Sequence, residues 1–170
     1  MVVRIIEIVA SLFLMIVLLV DMKKSKKNPV DVKIKLIEGG KLPEFKTAGA
    51  VCADAYARLE RNIFIKKGER KLIPLGFACG LPEGYELQVR PRSGLTSKGT
   101  DNGWGTGDTD YTGEYMACVI NNSDKDFPVC NGDRICQIAI REVPKVKFTV
   151  VEELEKTERG SKGFGSSGIR

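Results

Sequence analysis

The chain has 170 residues, of which 42% are hydrophobic, so it is long enough to bury a core and is expected to form one domain. It contains no histidine, which excludes a Ser-His-Asp triad, an H-E-x-x-H zinc site and any imidazole base, so acid–base chemistry must use carboxylates. The net charge of +5 is uneven, since +3 of it lies in the first 27 residues, and the near-neutral remainder does not indicate nucleic-acid binding.

Residues 1–27 form a hydrophobic and basic leader. Between Ile8 and Val20 only Ser11 is polar, but this run is shorter than the roughly 20 residues that cross a bilayer. A cleavable signal peptide is disfavoured because no small-x-small cleavage site follows the run. Two interpretations remain open: residues 1–20 contact the membrane as a short anchor with the following lysines on the cytoplasmic side, or translation starts at Met22.

Residues 28–151 are predicted to form a β domain. From 30 to 36 apolar residues alternate with charged ones, which is typical of a half-buried strand. Further strand-like runs, separated by Gly, Pro, Asn and Asp turns, cover 63–66, 71–79, 85–90, 115–121, 134–141 and 147–151. Many short strands and no long amphipathic helix favour an all-β sandwich or barrel. One short helix is expected near Ser93, a cap-forming residue.

The cysteines indicate a reducing compartment. There are five of them, an odd number without a C-x-x-C pair, and they sit among apolar residues in strand-like runs: Cys52, Cys79, Cys118, Cys130 and Cys136. We therefore expect reduced thiols in a cytoplasmic protein.

The most distinctive stretch is residues 101–114. In an extended segment Gly103, Gly105 and Gly107 would share one face and leave it bare, so that main-chain groups there can meet a flat ligand. Asp108 would then lie at the end of the bare strip. The alternative is a tight surface hairpin with solvated aspartates.

The C-terminal residues 152–170 are predicted to be a flexible arm. The strand pattern stops there, and the composition becomes rich in glycine and serine, with Phe164 as its one aromatic residue.

Five short motifs occur in a fixed order along the chain. They are Ala53-Asp54-Ala55-Tyr56-Ala57, Pro91-Arg92-Ser93-Gly94-Leu95, the hairpin that contains Asp108, Gly132-Asp133-Arg134-Ile135-Cys136-Gln137, and the Gly/Ser arm. Each alone has an ordinary explanation, but their order resembles the homotrimeric dUTPase family from about residue 30 to 168. The resemblance implies a jelly-roll-like β fold, a homotrimer with active sites shared between subunits, and Mg²⁺-dependent hydrolysis of dUTP to dUMP and pyrophosphate.

The resemblance also assigns roles around the nucleoside. It makes Asp108 the catalytic aspartate, which orders and deprotonates the water that attacks the α-phosphorus. A pocket for uracil would be formed by Asn102, Gly105, Thr106, Gly107 and Met116. The ring of Tyr111 would lie under the deoxyribose and leave no space for a ribose hydroxyl.

The remaining roles concern the phosphates and the metal. Contacts to phosphate are implied for Arg92, Ser93, Gly94 and Gln137, and Asp54 would reach Mg²⁺ through water. The metal itself would be held chiefly by triphosphate oxygens and water. In the arm, Arg159 would meet the γ-phosphate and Phe164 would cover the uracil, and Gly165 and Ser166 would also contact the substrate.

Two positions depart from the family pattern, and two other functions remain alternatives. Gly107 stands where a branched apolar residue is usual, and Trp104 stands where an aliphatic side chain is usual. The alternatives are a dUTP-binding sensor with little turnover and, less favoured by the motifs, a dCTP deaminase.

Overall fold

The computed structural model describes residues 29–163, which form eleven short β-strands and one helical turn. The strands are β1 (Lys33–Leu36), β2 (Ala53–Tyr56), β3 (Ile63–Ile65), β4 (Arg70–Pro74), β5 (Phe77–Gly80), β6 (Tyr85–Arg90), β7 (Thr100–Asn102), β8 (Gly105–Gly107), β9 (Met116–Asn121), β10 (Phe127–Val129) and β11 (Arg134–Glu142), with helix α1 (Ser93–Thr96) between β6 and β7. This composition confirms the predicted all-β class.

The strands pair only in antiparallel fashion within the described residues. One sheet has the order β2-β11-β6-β8 and a second has the order β4-β9-β7, while β1 pairs with β5 and β3 pairs with β10. Most neighbours are distant in sequence, so the fold depends on long-range pairing.

The core lies between the sheets and is built from alternate strand positions. Along β9 every second residue, beginning with Ala117, is buried while Met116, Cys118 and Ile120 are more exposed. Phe77 is fully buried. Burial of a side chain of this kind stabilises the fold by about 1.5–3 kcal/mol relative to exposure.

The predicted run 71–79 is two strands rather than one. Gly76 lies between β4 and β5 with a φ of 74°, a left-handed conformation that favours glycine. A Cβ on Gly76 would lie 2.4 Å from the Cα of Gly40. The two chain segments that contain these residues can approach each other only because both residues lack side chains. The turn sends β4 and β5 into different sheets.

Three other local predictions were wrong. Residues 147–151 form no strand, because no strand among residues 29–163 lies beside them, and Phe148 and Val150 are 94% and 99% exposed. The residues of β1 are exposed rather than half-buried. At α1, Ser93 is the first helical residue and Arg92 holds the capping position without a side-chain capping bond.

Several expectations concern residues that are not described. The leader 1–27 lies outside the described residues, as do Phe164, Gly165 and Ser166. Between residues 29 and 163 no helix has the length and apolar character needed to cross a membrane. The five cysteines are free thiols.

Candidate active site

The four-stranded sheet carries four of the five motifs, but not all at the same end. Gln137 on β11 is the register partner of Asp54 on β2 and of Arg90 on β6. Directly after β6 the chain enters α1, and β8, on the other side of β6, leads into Asp108. Asp54, Gln137 and residues 92–94 therefore lie at one end of the sheet. Because Gly107 is opposite Leu87 in an antiparallel pair, Asp108 lies toward the other end, near the start of β6.

Asp54 is the centre of a charged cluster. Its Oδ1 lies 3.3 Å from Nε of Arg92 and its Oδ2 lies 2.9 Å from Nη1 of Arg134. Arg92 also donates from Nη1 to the main-chain oxygen of Arg134 at 2.6 Å. The Asp54 side chain is only 14% exposed, so the two guanidinium groups compensate a largely buried carboxylate.

Arg134 was not among the site residues predicted from sequence. It belongs to the Gly132-Asp133-Arg134-Ile135-Cys136-Gln137 motif, in which a role was assigned only to Gln137. Its role as a partner of Asp54 joins residues 80 positions apart in the chain. The motif was the available signal, but the contact required the register of β2 against β11.

Gln137 fixes the loop that enters α1. Its Nε2 donates to the main-chain oxygen of Pro91 at 2.8 Å, immediately before Arg92. Ser93 and Gly94 follow as exposed residues at the start of the helical turn. Because the first amides of a helix have no partner within it, this loop offers N–H groups beside the arginine side chain.

The hairpin formed by β7 and β8 is open. The two strands are joined only by Gly103 and Trp104, yet β7 pairs with β9 and β8 pairs with β6. They do not pair with each other, and each is the edge of its sheet within residues 29–163. Edge strands have unpaired N–H and C=O groups, so two such edges lie side by side where they leave the turn.

Asn102 lies at the end of β7 with a side chain that is only partly satisfied. The residue is 3% exposed, and its Nδ2 donates to the main-chain oxygen of Gly103 at 3.0 Å. Its Oδ1 is buried and has no hydrogen-bond partner within the described residues. A buried acceptor left in this state costs about 1–3 kcal/mol.

The bare glycine face predicted for this hairpin is occupied by protein. Gly105 and Gly107 do share one face of β8, but a Cβ on Gly105 would lie 3.3 Å from Cβ of Val89. A Cβ on Gly107 would lie 2.4 Å from both Cε1 and Oη of Tyr115. Side chains of the core therefore fill the space that we expected a flat ligand to use.

Asp108 stands apart from the charged cluster. It is exposed, and its carboxylate makes no hydrogen bond or ion pair with residues 29–163. The main-chain N–H of Tyr111 donates to the Asp108 carbonyl at 3.2 Å, and Tyr111 Oη donates to the Glu114 carbonyl at 2.9 Å. The turn 108–111 is therefore ordered while the acid itself stays free.

Two other predicted pocket residues are exposed. Thr106 points away from the buried face of β8, and Met116 is 43% exposed at the start of β9. Asn102 on β7 is the register partner of Val119, a buried residue of β9, so their side chains lie on the same face of the sheet. Because side chains alternate along a strand, Met116 lies on the opposite face of this sheet from Asn102.

An ion pair holds the segment between β8 and β9. Arg58 donates from Nε and Nη2 to the two carboxylate oxygens of Glu114, each at 2.8 Å, and Gly76 N–H donates to Oε1 at 2.9 Å. The hydrogen bond from Arg58 lowers the pKa of Glu114, with further contributions from the Gly76 N–H and the arginine charge. Sequence reasoning did not identify this pair.

The other charged and sulfur groups place limits on the chemistry. Between residues 29 and 163 no group of three or more His, Cys, Asp or Glu side chains could hold a metal ion. Burial raises the pKa of Cys136 to about 12, so this thiol behind the charged cluster is not a nucleophile. Arg159 is exposed, and its recorded contact is local, from Nε to the carbonyl of Lys162 at 2.9 Å.

Comparisons with known proteins agree on one family. A dUTPase family model matches residues 39–168. The chain is 47% identical over 143 residues to a deoxyuridine 5'-triphosphate nucleotidohydrolase of Treponema denticola, with 82% of this chain and 99% of the relative covered. A relative of the same name from Fusobacterium nucleatum is 42% identical over 142 residues, with 82% and 97% covered.

Solved structures show the same fold. A mutant dUTPase of Staphylococcus bacteriophage 80alpha with dUpNHpp superposes with a TM-score of 0.75 at 24% identity, covering 82% of this chain and 99% of the phage chain. A mutant dUTPase from phage phi11 of S. aureus, solved with a structural Mg(II) ion, gives a TM-score of 0.67 at 20% identity, covering 74% and 99%. The predicted jelly-roll-like β fold is confirmed by this likeness. By the extent of the family match and the identity to its bacterial relatives, the chain belongs to the dUTPase family.

Proposed function

We propose that this protein hydrolyses dUTP to dUMP and pyrophosphate, with Asp108 activating the attacking water. The exposed carboxylate of Asp108 has no partner in the described residues, so it is available to accept a proton from water. The reaction would limit uracil incorporation into DNA and supply dUMP for dTMP synthesis. Bacterial relatives that carry the name of this activity support the assignment.

The observation that carries the proposal is the open hairpin with Asn102 at its end. The free edges of β7 and β8 offer main-chain donors and acceptors, which suit the edge of a nucleobase. The unpaired Oδ1 of Asn102 supplies one further acceptor for a ligand N–H. Uracil carries such an N–H between two carbonyl groups, whereas cytosine has an unprotonated ring nitrogen there.

This arrangement favours uracil over cytosine. Cytosine would leave the Asn102 acceptor unpaired and would bring an amino donor where uracil brings a carbonyl. A site that hydrogen-bonds its substrate in this way rejects analogues that lack the matching group, because its own buried atoms then lose their partners. We propose that Tyr111, in the following turn, excludes the ribose hydroxyl of UTP.

The charged cluster is proposed to receive the phosphates. Arg92 and Arg134 hold two positive charges in fixed positions around Asp54, and Gln137 holds the loop that presents Ser93 and Gly94. Fixed guanidinium and N–H donors suit phosphate oxygens. Exposed Arg159 is proposed to add a contact to the γ-phosphate when the arm closes.

Mg²⁺ fits this site only as an ion carried by the triphosphate. No cluster of protein ligands for it lies within residues 29–163. Asp54 already accepts a hydrogen bond from Arg134 and is ion-paired with Arg92. Each carboxylate oxygen keeps a second lone pair, so Asp54 can still accept from a metal-bound water. When bound, the ion neutralises phosphate oxygens.

We further propose that the protein is a homotrimer with active sites shared between subunits. The segment 143–154 exposes an unusual run of apolar side chains, among them Phe148 at 94%, Val150 at 99% and Leu154 at 86%. Contiguous apolar surface of this kind is unfavourable in water and marks an interaction site. Another copy of the chain would cover it and carry its arm to a neighbouring site.

The direct test incubates purified protein with dUTP and Mg²⁺ and measures pyrophosphate and dUMP. Their formation in equal amounts, together with a trimer mass by light scattering, is the expected result. Binding of dUTP without pyrophosphate release would favour the sensor instead. Ammonia release from dCTP would favour the deaminase.

A further inference from the structure

The ring of Tyr115 occupies the space beside Gly107 that a side chain of residue 107 would otherwise fill. A Cβ on Gly107 would lie 2.4 Å from Cε1 and Oη of Tyr115 and 2.8 Å from Cζ. Separations below 3 Å do not occur between real atoms of this kind, so Gly107 and Tyr115 are a matched pair. Residue 107 immediately precedes Asp108.

Tyr115 is itself firmly held. It is 4% exposed, and its ring stacks on Phe77 with centroids 5.5 Å apart and planes at 19°. Its main-chain N–H donates to the Phe77 carbonyl at 2.9 Å, and its carbonyl accepts from Leu75 N–H at 2.9 Å. The ring is thus anchored to β5 and to the chain just before it, in the core of the protein.

The same ring supports Tyr111. The two tyrosines meet edge to face with centroids 5.2 Å apart and planes at 81°. On its other side Tyr111 lies against Gly113, where a Cβ would come within 2.7 Å of Tyr111 Oη. Tyr111 is 44% exposed, so Tyr115 is one of the few buried groups that can fix its position.

Both ends of the turn 108–111 therefore rest on one buried side chain. Gly107 has no side chain with which to anchor the end of β8, and glycine leaves the backbone more freedom than any other residue. Small displacements of a catalytic group reduce rate steeply. The acid at the start of the turn, Asp108, and the aromatic ring at its end, Tyr111, need the same support.

We propose that Tyr115 is a positioning residue for the reaction: its ring replaces the missing side chain at Gly107 and so sets the places of Asp108 and Tyr111. This inference rests on the proposed function, because it concerns the two residues to which hydrolysis and sugar selection are assigned. Tyr115 touches neither substrate nor water in this role. It acts on kcat through Asp108 and on the preference for dUTP over UTP through Tyr111.

The hydroxyl of Tyr115 is not what makes the residue effective. Its Oη is buried without a hydrogen-bond partner within the described residues. Burial raises the pKa of Tyr115, and the nearby Cys79 thiol adds to the shift, so the ring stays neutral at every pH used for an assay. Tyr115→Phe keeps the ring and therefore should keep kcat within about threefold of the parent and should not lower Tm.

The test compares kcat and KM for dUTP and UTP in three further variants. Tyr115→Leu should lower kcat for dUTP about 10- to 100-fold and reduce the dUTP/UTP preference. Gly107→Val alone should also lower kcat, because its side chain collides with the ring. The double variant Gly107→Val with Tyr115→Leu exchanges volume between the two positions and should recover kcat to within about fivefold of the parent.

Val129→Ala is the matched control for loss of core packing. Val129 is fully buried on β10 and is not in the site. It should lower Tm as a truncated core residue does while leaving kcat and the dUTP/UTP preference within about threefold of the parent. A purely structural Tyr115 would behave like this control.

Three results would overturn the inference: parental kcat and substrate preference in Tyr115→Leu, no recovery in the double variant, or a double variant that does not fold. If Tyr115→Leu alone is insoluble, the comparison of Gly107→Val with the double variant tests the inference, and a higher kcat in the double variant supports it. Failure of the proposed function is seen separately, because the parent itself would then form no pyrophosphate from dUTP.

Discussion

Asp54 and Asp108 are both expected at the active site, but their carboxylates have opposite surroundings. Asp54 is 14% exposed and is held by Arg92 and Arg134. Asp108 is exposed and has no side-chain partner in residues 29–163, although the turn that carries it is packed against Tyr115. One carboxylate is fixed by charge, and the other is left free on a backbone that is fixed by aromatic packing.

The difference separates two requirements. A carboxylate that positions arginines for phosphate, as Asp54 is proposed to do, benefits from being ion-paired before the substrate binds. The arginine side chains are then already ordered, and binding does not incur their entropy cost. A general base must instead keep its lone pairs available for water. The comparison predicts that changes at Asp54 act mainly on KM and that changes at Asp108 act mainly on kcat.

The largest effect is expected from Asp108→Asn. The amide preserves shape but cannot accept the proton of water, so turnover of dUTP should fall by about 10²–10⁴-fold while dUTP binding is retained. Single-turnover pyrophosphate release and equilibrium dUTP binding are the measurements. Asp110→Asn, an exposed neighbour, is the control, and a loss confined to that variant would move the base to Asp110.

Removal of residues 159–170 should come next. Residues 152–162 are exposed and add nothing to the core. The proposed trimer and its Tm should therefore hardly change, whereas dUTP turnover should fall about 10²-fold through loss of the closing arm. Because dUDP lacks the γ-phosphate, Arg159→Ala should affect dUTP far more than dUDP. Near-parental dUTP turnover in the truncated protein would show that the arm is only a tail.

Asp54→Asn tests the charged side of the comparison. Loss of the carboxylate releases both arginines, and charged hydrogen bonds of this type are worth about 1.5–3 kcal/mol, so KM for dUTP should rise about tenfold or more. The value of kcat should change less. A fall in kcat with KM unchanged would contradict the proposed phosphate role and would place Asp54 closer to the chemistry.

The smallest effect is expected on the pH dependence of stability, through the ion pair of Arg58 with Glu114, which lies between β8 and β9. The folded pKa of Glu114 is lowered by Arg58, so the pair contributes stability above the unfolded value of about 4.3 and loses it as pH falls through the folded pKa. Glu114→Gln should therefore reduce the unfolding free energy at pH 7 by about 1 kcal/mol, since solvent screens the partly exposed pair. Chemical denaturation of the parent and of Glu114→Gln at pH 7 and below pH 4 measures this. If the two proteins differ in unfolding free energy by the same amount at both pH values, the Arg58–Glu114 pair is not the source of the effect.

The sequence was most informative where a local pattern carries the signal. Alternation identified β6, β9 and β11 close to their bounds, and the motifs selected Asp54, Arg92, Asp108 and Gln137, which neighbouring strands do position. Short strands such as β7 and β8 gave no recognisable alternation because three residues contain too little pattern. The site roles themselves remain predictions.

Contacts between distant residues could not be predicted in the same way. The pairing of Asp54 with Arg134, the contact between Gln137 and Pro91 and the packing of Tyr115 on Gly107 each depend on which strands are neighbours. The glycine run illustrates the difference. Gly105 and Gly107 share a face as predicted, but Gly103 lies in the turn before β8, and the side chains that cover the shared face were not predicted. A strand pattern states which face is apolar, not which side chain covers it.

By itself, then, the sequence determined the all-β class and the order of the motifs and excluded imidazole chemistry, because residue type and alternation are local properties. Only the tertiary structure decided that Asp54 is ion-paired, that Asp108 has no side-chain partner among residues 29–163, and that Gly76 divides one apolar run into two strands. It also decided that Tyr115 takes the place of a side chain at residue 107. Each of these depends on a close approach between segments far apart in the chain, which backbone register and core packing set together.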